Sequence, residues 1–291
     1  YSDSTQGWLP VSDDAVADAP EAPTTQKGIF AYGYGASSVV SMSNIINSSG
    51  VIAADVTGVG TARYGTAATT YGIDKAIFGY GYNAVSMTNL VTNLGVVGAD
   101  VTGVGTGRTE SDAVHYGIDK AIFAYGEGSS GKVSVSNLVS SSGVVSADTT
   151  GVGTARSYLG AAEYGEDKGI YAYGNDNVSM SNLVSNLGVI GTDVTGVGTG
   201  RAYLSGAAYG DDKAIFAYGT TGSVVSLSNL VSNLGVIGTD VTGVGTARRS
   251  PGACSYGGDK AAFAYGYGAS SNTAVKNLVS NSGVVASDVT G

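Results

Sequence analysis

The chain has 291 residues, 47 of them glycine, with 43% hydrophobic and only 13% charged side chains. That mixture fits a buried, strand-rich body with tight turns rather than a disordered polymer. The net charge of −9 offers no basic track for phosphates and so argues against nucleic acid. No run of 18 apolar residues exists, which excludes membrane insertion by a helix.

Residues 1–26 differ from everything after them. They hold Pro10, Pro20 and Pro23, the only Trp (Trp8), five acids and no base. Asp13 to Pro23 reads as an acidic, extended linker. Trp8 and Leu9, within Gln6-Gly-Trp-Leu-Pro-Val-Ser, form an apolar spot suited to anchoring an assembly. Residue 1 is Tyr, so a processed or truncated N-terminus is expected.

From Lys27 onward the chain repeats. Equivalent lysines stand at 27, 75, 120, 168, 213 and 260, spaced 48, 45, 48, 45 and 47 residues apart. Six copies of one pattern over 27–291 mean a repeat architecture in one domain. Within a copy, Lys75-Ala-Ile-Phe-Gly-Tyr80 is a short apolar run, as in a strand covered on both faces. Val85 to Val91 reads as a half-buried strand whose phase slips near Asn89, although Ser-Asn-Leu-Val-Ser-Asn could also make one helical turn. Gly95 to Gly103 is a β-branched, glycine-bounded third strand. The fourth follows Arg63, Arg108, Arg156, Arg201 and Arg248, as in Ser-Tyr-Leu-Gly-Ala-Ala-Glu-Tyr-Gly after Arg156. No segment sustains helical periodicity, so the fold class is all-β. Four-stranded units at this period predict a six-unit β-propeller, with a β-solenoid as the alternative.

The order Arg, then small residues, then Tyr-Gly-x-Asp-Lys-Ala-Ile-Phe-x-Tyr-Gly resembles the Kelch blade, clearest over Arg201–Gly219. Tyr-Gly replaces the Kelch double glycine, and the late Trp of that blade is absent. The wording of the units is similar to that of the tandem D-K-A-I-F-x-Y-G and G-V-G-T-A-R repeat proteins of tailed phages, over residues 27–291. That resemblance implies a structural protein of a virion or another extracellular assembly. Its expected partners are copies of itself, other virion proteins or a surface glycan.

Sorted by position, the charges balance. Eleven of the 14 bases are repeat positions. So are Asp55, Asp100, Asp148, Asp193, Asp240 and Asp288 before Val/Thr-Thr-Gly, and Asp74, Asp119, Asp167, Asp212 and Asp259 before Lys. Repeated acids and the five repeated Arg are expected to form salt bridges between units. Tyr32, Tyr80, Tyr125, Tyr173, Tyr218 and Tyr265 form one set of equivalent positions, which could pack between units or line a mouth and stack on sugars or peptides.

Catalytic signals are absent from the repeat. Gly103-Val-Gly-Thr-Gly-Arg108 lacks the ending of a phosphate loop. The Tyr-Gly-x-Asp element, with its one Asp per repeat, cannot supply the oxygens of a calcium site. His115 is the sole histidine and Cys254 the sole cysteine, so neither a histidine metal site nor a disulfide framework is expected. Asn47-Ser-Ser and Asn177-Val-Ser match the glycosylation sequon, at the rate chance allows. Glu110, Asp112, Glu127 and Glu163 break the repeat but are scattered over the copies. The expectation is therefore a non-enzymatic structural or adhesive protein without a cofactor. Its alternatives are a filament subunit assembled by strand or arm exchange and a glycan- or protein-binding module. The first copy lacks an Arg-led strand, leaving an unpaired edge for a C-terminal extension, the N-terminal arm or a neighbouring molecule to fill.

Overall fold

The computed structural model describes residues 2–3, 7–8, 26–35 and 37–290. The described body is all-β and antiparallel, and its only helical turn is a 3-10 turn at Asn175–Asn177. Each copy makes one main sheet, and the third adds a small side sheet of Arg108–Thr109, Glu127–Gly128 and Gly131–Lys132. The second is Ala67–Tyr71, Lys75–Gly79 and Thr88–Val91; the third is Asp112–Tyr116, Lys120–Ala124 and Ser136–Val139. The fourth is Gly160–Tyr164, Lys168–Ala172 and Ser181–Val184; the fifth is Ser205–Tyr209, Lys213–Ala217 and Ser228–Val231. The sixth joins Gly252–Tyr256, Lys260–Ala264, Val275–Val279 and Val289–Thr290. Among the described residues the first sheet has two strands, Gly28–Tyr34 and Val39–Ile46. Ser-Asn-Leu-Val is thus strand and not a helical turn. The expected glycine-bounded third strand is reduced to single bridges, such as Thr88 with Val101 and Val91 with Val97.

The middle strands of the second to sixth sheets are buried on both faces over most of their length, as their unbroken apolar runs require. Ile77, Ile122, Ile170 and Ile215 are fully buried, as are Phe123, Phe216 and Phe263. The leading strands (Ala67–Tyr71, Asp112–Tyr116, Gly160–Tyr164, Ser205–Tyr209 and Gly252–Tyr256) pack on one another in succession. Small residues there allow that close approach.

Apolar clusters join successive sheets. Tyr80 packs with Phe123, Tyr173 with Phe216 and Tyr218 with Phe263. Tyr32 packs with Phe78, and Phe30 and Ile46 pack with Ala262 and Ala264, so the sixth sheet also touches the first. Backbone bonds follow the same path. Gly72, Gly117, Gly165 and Gly210 N–H donate to the carbonyls of Asp119, Asp167, Asp212 and Asp259 in the following sheet. Gly257 N–H donates likewise to Gln26 O, 3.1 Å away at the start of the first sheet. Ser2 and Asp3 of the N-terminal arm pair with Trp8 and Gly7. Leu9 and the acidic linker lie outside the described residues.

Candidate functional site

The repeated charges come first, because the structure gives them other work than expected. Each Arg is buried at the junction of two sheets. The guanidinium carbons of Arg63, Arg108, Arg156, Arg201 and Arg248 lie 4.3, 4.0, 4.4, 4.4 and 3.8 Å from the ring centres of Tyr32, Tyr80, Tyr125, Tyr173 and Tyr218 in the preceding sheet. Arg63, Arg156 and Arg201 donate from Nε to the carbonyls of Tyr80, Tyr173 and Tyr218 of their own sheet. Their carbonyls accept in turn from the glycine after the stacked tyrosine, as in Gly81 N–H to Arg108 O at 2.9 Å.

Direct Arg–Asp pairing is marginal: Arg63–Asp100 and Arg156–Asp193 approach only to 3.9 Å. Asp100, Asp148, Asp193, Asp240 and Asp288 instead accept from the backbone and hydroxyl of Thr61, Thr106, Thr154, Thr199 and Thr246, and from an Asn of their own sheet. Asp55 is bound by Asn44. Asp74, Asp119, Asp167, Asp212 and Asp259 pair with the lysine that follows each of them, in exposed turns and not between sheets.

The tyrosines are corrected too. Tyr80, Tyr125, Tyr173 and Tyr218 are fully buried between sheets, so they form no binding ring at a mouth; Tyr265 is half-buried. All five have left-handed backbone, with φ of 61 to 66°, followed by a glycine also at positive φ. That bulge ends the strand and turns the tyrosine carbonyl toward the arginine.

The unrepeated residues gather elsewhere. Two positions after each Arg stand Gly65, Glu110, Tyr158, Tyr203 and Ser250, all at φ between 50 and 64°. They form a hydrogen-bonded chain: Glu110 N–H to Gly65 O, Tyr158 to Glu110, Tyr203 to Tyr158 and Ser250 to Tyr203, at 2.7–3.0 Å. The residue directly after each Arg pairs with the one following the Tyr-Gly bulge, which brings in Tyr82, Glu127, Asn175, Thr220 and Tyr267. The backbone at these positions is fixed by the repeat while the side chains vary freely.

The side chains make one continuous belt. Tyr64 stacks on Tyr82 with ring centres 4.5 Å apart and meets the edge of Tyr34 at 5.9 Å. The Glu110 carboxyl folds over Gly65, with Oε1 2.7 Å from where a Cβ would stand. Glu127 Oε2 accepts from Ser157 Oγ at 3.1 Å. The Tyr158 and Tyr203 rings lie 4.0 Å apart, tilted by 30°, and Arg249 sits over Tyr203 and Tyr267 at 5.4 and 5.1 Å. Burial, reinforced by the charge of Glu127, pushes the Glu110 carboxyl up to about 7. Burial likewise raises the Tyr158 hydroxyl, helped by Tyr203 and then by Glu110. Glu110 and Glu127 are thus neighbours: Glu127 stands opposite Thr109, the residue before Glu110, in the side ladder of Arg108–Thr109 with Glu127–Gly128. Asp112 and Glu163 stay apart from them. Asp112 accepts from Ala113 and Ala161 N–H, and burial moves it up to about 7; Glu163 faces His115 at 3.3 Å. The hollows on the outer flank, lined by Ser181, Leu183 and Leu234 or by Tyr256 and Leu278, lie away from this belt.

No family model matches the chain, and no curated protein matches it either. Among solved structures it is similar to a fungal alcohol oxidase of the AA5 family, in complex with copper, at a TM-score of 0.57 and 12% identity. The match covers 92% of this chain and 64% of that one. At that identity the likeness shows the fold alone. It still corrects the expectation of a non-enzymatic structural or adhesive protein, with its filament and binding-module alternatives, because this fold carries an enzyme in the neighbour. Copper itself does not fit this chain. His115 is the only histidine, the Cys254 thiol is buried and pushed up to about 12, and the described residues hold no group of three His, Cys, Asp or Glu side chains.

Proposed function

We propose that this chain is an acid–base enzyme of a six-bladed, Kelch-like propeller, cleaving glycosidic bonds at the belt around Glu110. The observation that carries it is the meeting of Glu110 and Glu127 beside two tyrosine pairs, all at positions that break the repeat. Paired carboxylates of unequal environment are what glycoside cleavage needs. Glu110 keeps its proton near neutral pH and gives it to the glycosidic oxygen as the C–O bond breaks. Water, losing its proton to Glu127, forms the new bond at the anomeric carbon, and exchange with solvent resets both carboxyls. Tyr64 with Tyr82, and Tyr158 with Tyr203, offer apolar faces with polar rims on which sugar rings stack.

The propeller reading is supported by the bond from Gly257 N–H to Gln26 O and by the Phe30–Ala262 cluster. In a solenoid the last unit would never meet the first. The phage-like wording of the repeats supports a location on a virion or in the extracellular medium, where glycans are met. An activity screen on polysaccharides tests the proposal. Cleavage by the wild type, lost by about 100-fold or more in Glu110→Gln with the fold unchanged, is expected. No cleavage of any glycan, or a fully active Glu110→Gln, would overturn it.

A further inference from the structure

The junction between the sixth and first sheets differs from the other five in one respect. At each of those, an Arg-led segment enters between two sheets: its Thr binds an Asp, its Arg stacks on a Tyr, and its strand pairs with the middle strand. At the sixth junction every receiving group is present. The Tyr265 ring faces Asp55, whose charge is felt by the Tyr265 hydroxyl, as Tyr80 faces Asp148 and Tyr125 faces Asp193. Asn44 Nδ2 binds Asp55 Oδ1 at 2.8 Å, as Asn89 binds Asp100 and Asn137 binds Asp148. Gly266 has the same positive φ, 105°, as Gly126 and Gly219, which donate to arginine carbonyls. Among the described residues no arginine stacks on Tyr265, no threonine binds Asp55, and Gly266 N–H has no carbonyl partner. Among the described residues no strand pairs with the edge of Gly28–Tyr34 that corresponds to the paired edge of Lys75–Gly79.

We infer that this junction is a docking site for a peptide of the form Gly-Val-Gly-Thr-Xaa-Arg followed by a small-residue strand. The occupant follows from the five filled copies, which show the same receptor groups holding that chemistry. Its Thr bonds to the Asp55 carboxylate, and its Arg lies on the Tyr265 face with Nε toward the Tyr32 carbonyl. The Arg carbonyl accepts from Gly266 N–H. The strand that follows adds to the free edge of the first sheet by main-chain hydrogen bonds, with specificity set by the Thr and Arg ahead of it. This inference is independent of the acid–base proposal, because neither Glu110 nor Glu127 takes part in it.

The test uses the full chain and a labelled synthetic peptide with the sequence of residues 151–165. One-to-one saturable binding and a rise in melting temperature with peptide are expected. Replacing the peptide's arginine by alanine, which cannot disturb the protein's own fold, should weaken binding roughly tenfold or more, and Asp55→Ala in the protein should do the same. Asp193→Ala, at a filled junction, should leave binding unchanged. Absence of saturable binding, equal binding by the altered peptide, or equal sensitivity to Asp193→Ala would each overturn the inference.

Discussion

Arg156 shows how much one repeated side chain does. It is 2% exposed, stacks on Tyr125 and donates to the carbonyls of Tyr173, Thr154 and Tyr171. Arg156→Ala strands those carbonyls and should cost about 3–5 kcal/mol in denaturant unfolding. Arg156→Lys should recover little, since an ammonium cannot supply the planar fork. Two single residues report on pH. Burial would lower the His115 proton affinity, but the Glu163 carboxylate beside it raises it overall. A group raised in the folded state adds stability that is complete below its unfolded value and is lost as pH rises through the folded one. The one histidine resonance should therefore titrate above the free value and shift down in Glu163→Gln. Glu110 is raised in the same sense, from 4.5 to about 7, so activity that needs its proton should fall as pH climbs through about 7. A pH–rate profile with that limb missing would remove Glu110 as the acid.

The strands fit one another copy by copy. The residue after each opening lysine is Ala in four copies and Gly in two, Gly169 and Gly28. A Cβ on Gly169 would come within 2.5 Å of Val114 Cγ1, and one on Gly28 would meet the Cys254 sulfur. The corresponding partners of the alanines are smaller in two cases, with Ala162 behind Ala214 and Ala207 behind Ala261. Bulk on a leading strand is thus offset by glycine on the next sheet, as close packing demands. Gly169→Ala should destabilise by about 1–3 kcal/mol through overpacking. Adding Val114→Ala should restore part of that loss, a coupling that a double-mutant cycle measures directly. Additive losses would show that the two side chains do not meet.

Over the whole molecule, five Thr–Asp clasps tie one sheet to the next. Burial alone would raise Asp148, but hydrogen bonds from Thr106 and Asn137 win and hold it below the usual carboxylate range. Asp100, Asp193, Asp240 and Asp288 are held down in the same way. A depressed carboxylate adds stability above its unfolded value and loses it as pH falls through the folded one, so acid should open the clasps together. Asp148→Ala should cost about 1–3 kcal/mol, while Asp55→Ala, bound only by Asn44 among the described residues, should cost less than ~1. Equal melting shifts for the two variants would mean that Asp55 is already clasped.

The all-β class, the six copies and the position of every middle strand were legible in the chain, because period, glycine spacing and apolar runs are local properties. That no arginine precedes Lys27 was legible for the same reason. Three things were decided only by tertiary structure. Whether Tyr80 and its equivalents face a mouth or an interface depends on which sheet stands behind them, and a left-handed bulge turned them inward. The partners of Arg and Asp were misjudged because equal counts do not fix geometry: the guanidinium found a ring and carbonyls, and the carboxylate found threonine. Glu110 and Glu127 looked scattered by their numbers, yet a short ladder sets Glu127 opposite Thr109, the residue before Glu110. The signal that could have found them was present, as variation confined to the positions just after each Arg and each Tyr-Gly. Its meaning depended on those positions converging at one place, which no stretch of sequence read alone can express.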